Sequence, residues 1–545
     1  MNFMSRVAHY LQEHLLGEVT ASPEVRRYFS QDASILQLAP ELVVYPRNES
    51  DVRKTASFSW QLAERGRIMP ITARGGGSNT SGAALGYGIL LVFTAHMNKI
   101  LELNPRKQLV TLEPGVTFDK LEQTLYTHGL FLPPYPAALH DATLGGGLAS
   151  NVMGEKSIKY GTIGNYVRQL RVVLANGETI ETGPLNKREL NRKLGLATLE
   201  GEIYRALDKL LEENHDLIEE GKKRIKAQRN TAGYNLFGIK KGHSFDLTPL
   251  FVGSQGTLGI ITEATLSLAA YNPLTQLALV SLEELGQLSE VLPKLLELKP
   301  SVFDMMNHAA VEQISRLNPS QLAGALIHPN AAVHLFLEFD DSKEGAQKKA
   351  LKQLQKIVNS VGGVYQVGQT LEEQEKIWKV RHSVSTILSH SPGPAKSLPI
   401  VEDVSLPTEQ LVDFLSQSAQ IYAQNGLAAA AWGQAGDGVI SIQPVLDLAQ
   451  TGDRQKLFKI TDSLYSLAIQ MGGSTSGSSG DGRIRAPYNE LLYGEELHNL
   501  MLQVKKIFDP HGTLNPGVKT ASPQDIKNLL RSEYSLTHHN HLPRS

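Results

Sequence analysis

The chain has 545 residues, 53 Lys+Arg against 55 Asp+Glu, a formal net charge of −2 and 41% hydrophobic residues. That is enough chain for about three or four domain-sized units, or two larger ones with elaborations, and the near-neutral balance argues against a nucleic-acid partner. With 0 Cys, disulfides, Cys-ligated zinc and an iron–sulfur cluster held in this chain are excluded, so redox chemistry would need a bound cofactor.

Arg6, His9 and Glu13 interrupt the N-terminal segment too early for a signal-peptide core, and no apolar run approaches roughly 18 residues. A soluble cytoplasmic protein is expected, with peripheral membrane contact left open. Residues 1–37 read as an N-terminal helical segment. A β-rich run through Ile71 leads into Arg74-Gly75-Gly76-Gly77-Ser78-Asn79-Thr80-Ser81-Gly82, and apolar runs follow at 89–93 and 109–112. A second glycine cluster spans 143–154, and the run 170–175 ends in Asn176-Gly177, a hairpin-turn signal. Residues 38–270 therefore read as one α+β unit.

From Leu277 strands alternate with amphipathic helices. Strands are expected at 277–282, 333–339, 364–367 and 428–432, with helices ending near Leu298, carrying Leu351, Leu354, Val358 and Val361 on one face, and across 457–471. The pattern predicts an antiparallel sheet with helices on one face. A Gly/Ser segment covers 472–482, and the polar stretch 522–545 is expected to be a flexible tail.

Glycine-rich loops let backbone N–H groups approach phosphate oxygens closely. The dinucleotide fingerprint fails in both clusters, at Thr80 and at Ser150, and Gly154-Glu155-Lys156-Ser157 lacks P-loop spacing. What remains is two loops about 70 residues apart, one opening with Arg74, both carrying small polar residues (Ser78, Asn79, Thr143, Asn151). They suit a pyrophosphate cage, although structural turns have the same composition.

At these residues the sequence resembles the FAD-binding oxidoreductases of the vanillyl-alcohol oxidase and p-cresol methylhydroxylase type, in particular the D-lactate and D-2-hydroxyacid dehydrogenase branch. The matching segments are residues 28–34, 74–79, 110–116, 143–154, 253–263, 508–510 and 515–519, in that order. The resemblance implies a two-part flavin-binding domain (38–270 and 490–521) with a cap domain (271–489) inserted. It implicates Arg74, Gly75, Gly76, Gly77, Ser78, Asn79, Gly82, Thr143, Gly146, Asn151 and Gly154 around the pyrophosphate. It further places Gly256 and Ile261 by the adenosine end and Asn515 near the flavin ring. Members that bind flavin covalently carry His where this chain has Ser78, which implies noncovalent FAD.

In the cap, Trp378-Lys379-Val380-Arg381 resembles the segment whose Arg binds the substrate carboxylate, a task suited to a guanidinium fork. The resemblance also marks departures. His occupies the Gln434 and Ser441 positions in metal-binding relatives, and Glu-His stands where this chain has Ser478-Ser479. Neutral Gln and Ser oxygens make a transition-metal site an unexpected feature here. The hydroxyl proton then needs another base, for which His140, His382, His511 and the Glu402-Asp403 pair stand nearest the motifs.

A basic run, Lys222, Lys223, Arg224, Lys226 and Arg229, reads as a solvated helix face, or as a docking patch for a redox partner or anionic lipid. The expected activity is FAD-dependent oxidation of a small hydroxy acid, with electrons passed to a quinone, cytochrome or iron–sulfur partner. The alternative is a flavin-binding accessory subunit without activity of its own.

Overall fold

The computed structural model describes residues 3–242, 244–389 and 393–531. Its first sheet is four-stranded, in the order Glu18–Thr20, Leu42–Tyr45, Ile89–Val92, Ile71–Arg74, with the last three parallel. These short runs are buried on both faces, as expected of parallel strands. The helices Phe3–His14 and Glu49–Glu64 pack on one side, around Leu11, Val52, Leu91 and Ile71. The N-terminal segment thus supplies a strand as well as helix. Residues 513–515 run beside Ile71, whose N–H donates to Thr513 O at 2.7 Å and whose carbonyl accepts from Asn515 N at 2.8 Å.

A five-stranded antiparallel sheet adjoins it, in the order Ile100–Asn104, Leu109–Leu112, Ile260–Ser267, Val167–Val173, Thr179–Glu181. Asn176-Gly177 makes the expected turn between the last two strands, with Gly177 at φ 89°. Its core takes in the helices Phe118–Tyr126, Leu199–Glu213 and Glu495–Phe508.

The second half is built on an eight-stranded sheet whose strand pairs are all antiparallel. From one edge the strands are Val364–Gly368, Gln276–Leu282, Val333–Phe339, Val302–Asn307, Ala429–Gln434 and Val439–Leu446. Both Lys396–Ser397 and Val401–Ser405 pair with the last of these. Alternation divides the faces. Ala278, Val280, Phe303, Met305, Ile440 and Ile442 turn toward four helices, Leu285–Leu296, Glu344–Ser360, Leu411–Gln424 and Thr451–Gln470. Leu277, Leu279, Met306, Phe336 and Trp432 turn the other way, where the helices His308–Leu317 and Leu371–Ser389 cover part of the face. The rest of that face looks onto the first domain.

The stretch from 522 is a correction to the expected tail. Ser522 caps the helix Pro523–Leu529, Ile526 is buried in the cap core, and Leu530 pairs with Leu36. Arg531 is 1% exposed and its Nε donates to Leu36 O at 2.8 Å. Polar composition concealed two anchors, one apolar and one charged. Residues 532–545 lie outside the described residues.

The two halves are joined by polar contacts. Arg229 of the basic run donates through Nε to Asp437 Oδ1 at 2.9 Å, and Ser157 Oγ donates to the other oxygen of the same carboxylate. Asp437 is 0% exposed. Lys156 pairs with Glu338 and Lys159 with Asp340. Removing one partner of a buried pair strands the other charge, so Asp437→Ala is expected to cost about 3–5 kcal/mol. An earlier urea midpoint in near-UV circular dichroism would show it, and an unshifted midpoint would deny Arg229–Asp437 this joining role.

Candidate active site

A continuous cavity of about 570 Å³ runs between the two halves, within the roughly 300–1,000 Å³ typical of cofactor and ligand sites. Both glycine loops line it, with Gly256, Ile260 and Ile261 on one side and Arg381, Glu402, Trp432 and Ser441 on the other.

The loops close on each other with no room to spare. A Cβ on Gly75 would lie 2.0 Å from Thr143 Oγ1, and one on Gly76 would lie 1.7 Å from Asp141 O. Thr143 caps the helix Leu144–Ser150 by accepting from Gly146 N at 3.3 Å. By contrast, a Cβ on Gly146 would meet only Thr143 Oγ1, at 3.4 Å. The main-chain N–H groups of Gly76, Gly77, Ser78 and Asn79 donate to no acceptor among the described residues. Four successive unclaimed donors on a cavity wall fit a diphosphate, which supplies several anionic acceptors.

Arg74 lines the cavity, but its guanidinium turns into the protein. Nη2 donates to Gln31 O at 2.7 Å and Nη1 to Phe29 O at 3.3 Å, with the Phe29 ring 5.2 Å away. Asn79 ties three segments together, donating to Ser150 Oγ at 3.1 Å and Ser479 O at 3.0 Å while accepting from Ser81 N. Gly154 lines the cavity. Gly82, Asn151 and Asn515 do not. Gly82 is a left-handed turn residue at φ 76° under Leu36, and Asn151 ends its helix at φ 52° and accepts from Gly164 N at 3.1 Å. Asn515, at φ 42°, donates to Gln255 O at 2.8 Å and Ala83 O at 3.0 Å, supporting the wall from behind.

On the cap side, Asp304 and Met306 project from the same face of Val302–Asn307, opposite to Phe303 and Met305. Asp304 is 0% exposed, and its Oδ2 accepts from Arg381 Nε at 2.7 Å. Burial pushes the Asp304 carboxyl upward against the pull of Arg381. The Nη groups of Arg381 meet no acceptor among the described residues. The guanidinium is therefore held by one edge, with the other edge unclaimed on the cavity.

Next to it, His382 Nε2 lies 2.8 Å from Glu155 of the first domain, which also accepts from Tyr135 OH at 2.8 Å. Burial alone would raise Glu155, but His382 and Tyr135 hold it down to about 2. Burial alone would lower His382, and Glu155 outweighs it, leaving the ring above its ordinary range. His140 sits outside the cavity with its ring 3.1 Å from Asp119, and His511 packs edge-on against Trp60 at 4.5 Å.

Val401 and Val404 both enter the cap core, so the strand between them must absorb an extra residue. The register slips there, with Val401 opposite Ile442 and Val404 opposite Ile440, and Asp403 adopts φ 42°. Such a bulge re-aims side chains, and it turns both Glu402 and Asp403 to the cavity wall. Asp403 Oδ2 accepts from Ser476 Oγ (3.0 Å), Ser478 N (2.8 Å) and Ser479 N (2.7 Å), while Oδ1 pairs with Arg485 at 2.9 Å. Glu402 accepts from Ser441 Oγ at 3.2 Å and from Gln443 Nε2. Ser478 Oγ accepts from Met153 N at 3.1 Å. No cluster of three or more His, Asp or Glu able to hold a metal ion occurs among the described residues.

Two family models match the chain: the FAD binding domain over residues 40–183, and the C-terminal domain of FAD linked oxidases over residues 272–518. The fold agrees with solved structures of p-cresol methylhydroxylase (14% identity, TM-score 0.67, 95% of this chain and 97% of that one) and of 4-ethylphenol oxidase from Gulosibacter chungangensis (15%, 0.67, 96% and 98%). The chain thus carries the FAD binding domain and the C-terminal domain of the FAD linked oxidases, on the fold of p-cresol methylhydroxylase.

Within them it resembles the D-lactate and D-2-hydroxyacid dehydrogenase branch. It is 31% identical to D-2-hydroxyglutarate dehydrogenase of Escherichia coli over 96% of this chain and 52% of that protein. It is 28% identical to D-lactate dehydrogenase of Archaeoglobus fulgidus over 87% and 90%. The chain spans about half the length of the D-2-hydroxyglutarate dehydrogenases it matches. No helix among the described residues is long and apolar enough to cross a membrane.

The two loop glycines separate two effects. Gly76→Val must break the contact with Asp141 and is expected to lower both FAD content and melting temperature. Gly146→Val adds its bulk where the protein leaves space, so FAD content should fall while the flavin-free protein melts unchanged. Visible absorbance and a thermal melt read both, and full flavin content in both variants would remove the loops from the cofactor site.

Proposed function

We propose that the chain is the flavin-bearing part of a dehydrogenase that oxidises a small 2-hydroxy carboxylate with noncovalently held FAD. The observation that carries this reading is Arg381, whose Nη edge is unclaimed on a cavity that continues to the glycine loops. When bound, FAD supplies a two-electron acceptor for hydride from the alcohol carbon. The free N–H groups of residues 76–79 would hold its diphosphate. Ser78 replaces the histidine that a covalent link would use. Arg381 would receive the substrate carboxylate as a fork, orienting the alcohol carbon.

The relatives support a hydroxy acid and a separate electron acceptor, which for this chain is a quinone, cytochrome or iron–sulfur partner. A divalent metal does not fit the donor set. Gln434, Ser441 and Ser478 offer no imidazole or carboxylate, and the hydroxyls of Ser441 and Ser478 are already engaged with Glu402 and Met153.

Acid denaturation is expected to release intact FAD into the supernatant, and metal analysis to find no stoichiometric zinc or manganese. Flavin in the pellet, or flavin reduction abolished by chelators, would overturn these points. Arg381→Met should leave FAD content intact and weaken substrate binding by about 2–5 kcal/mol. Anaerobic flavin bleaching with a panel of 2-hydroxy acids measures this, and bleaching by none of them would favour the accessory-subunit reading.

A further inference from the structure

The oxidation proposed above requires a group in the cavity that accepts the hydroxyl proton. Such a group must titrate, line the cavity and have a lone pair to spare. Among the described residues, Glu155 is held ionised by His382 and Tyr135, too weak a base at about 2, and His382 commits Nε2 to that carboxylate, which raises the ring above its ordinary range. Tyr135 is pushed well above its ordinary range by burial and Glu155. Asp403 spends both oxygens on Arg485, Ser476 and two main-chain N–H groups. Glu122 belongs to the first-domain helix Phe118–Tyr126, beside Leu121 and Leu125, and accepts from Tyr126.

We infer that Glu402 is the catalytic base, a carboxylate that the bulge at Asp403 delivers to the corner where metal-binding relatives carry imidazoles. The inference rests on the hydroxy-acid reading. Ser441 stands at one of the positions those relatives fill with His, and here its hydroxyl orients Glu402. Ser441 and Gln443 project from the same face of their strand as each other, and both line the cavity. Each donates to one oxygen of Glu402, which leaves further lone pairs for a substrate hydroxyl.

The charges facing Glu402 are Asp403 and Arg485, with the phenols of Tyr422 and Tyr465 nearby. Burial, reinforced by Asp403, pushes its carboxyl up to about 7 against Gln443, Arg485 and Ser441, which is where a general base works at neutral pH. In the step, the substrate O–H bond breaks and its proton passes to Glu402. The Cα–H electron pair leaves as hydride for oxidised FAD, the C=O bond forms, and the product is the 2-oxo acid. Glu402 then returns its proton to solvent.

The test compares the FAD-loaded wild-type protein with Glu402→Gln, using D-2-hydroxyglutarate, D-lactate and glycolate as probes under anaerobic conditions. Glu402→Gln should keep its FAD and melting temperature yet reduce flavin roughly 10²–10⁴-fold more slowly. The wild-type rate should rise with pH through about 7, and this limb should vanish in the variant. Without substrate, infrared difference spectra between acid and alkaline pH should show a protonated carboxyl band titrating in that range, absent from Glu402→Gln. Gln443→Leu removes a donor to the carboxylate and should move both the limb and the band to higher pH.

Reduction by Glu402→Gln at the wild-type rate, persistence of its carboxyl band, or an unmoved limb in Gln443→Leu would each overturn the assignment while leaving the hydroxy-acid reading intact. If no probe bleaches the wild-type flavin, that reading falls and this inference with it.

Discussion

The carboxylate of Asp403 is the knot of the molecule. It gathers a serine hydroxyl, two main-chain N–H groups and the Arg485 guanidinium at one point, and so fixes the edge of the cap sheet to the segment that returns toward the first domain. That segment then reaches Asn79 and Gln255 through the Ser479 carbonyl, at 3.0 Å in each case. The path from the cap sheet to the two glycine loops is thus three hydrogen bonds long, from Asp403 through Ser479 and Asn79 to Ser150. Removing a buried, multiply bonded carboxylate leaves several donors unsatisfied at once.

Elsewhere the joint between the halves is electrostatic and asymmetric. The first domain contributes Lys156, Lys159 and Arg229, and the cap answers with Glu338, Asp340 and Asp437. Glu155 and His382 reverse the sense at the cavity itself. Direction-specific pairs of this kind fix register more than they add stability. One of them accounts for part of the basic run at 222–229, since Arg229 faces Asp437, while Arg224 donates to Tyr493 O at 2.9 Å within the first domain.

Much of the fold was legible because its elements obey simple periods. Leu277 to Leu282 alternates between two cores, Leu351, Leu354 and Val358 mark one helix face, and Asn176-Gly177 announces its hairpin. The strands Val401–Ser405 and Val439–Leu446 were less visible, since a bulge breaks the alternation of one and Ser441, Gln443 and Pro444 interrupt the apolar pattern of the other. The glycine loops stood out by composition, but composition could not say that Arg74 turns inward or that Asn515 stands behind the wall. The motif drew attention to Arg381, which does line the cavity. Asp304, 77 residues earlier, carries no local signal, because its importance comes from a strand pairing and a helix packing that bring distant chain segments together.

The way Arg381 is held has a consequence for what can stand in its place. Its Nε edge faces a fully buried carboxylate while the Nη edge looks onto open space, so one side chain serves two masters in different dielectric surroundings. Lysine has a single ammonium head and cannot divide itself between them. A lysine that reached for a ligand would abandon Asp304 to an apolar strand face, and one that stayed with Asp304 would leave the cavity without its cation. Charge alone does not fill this position; it takes a side chain with two separate donor edges.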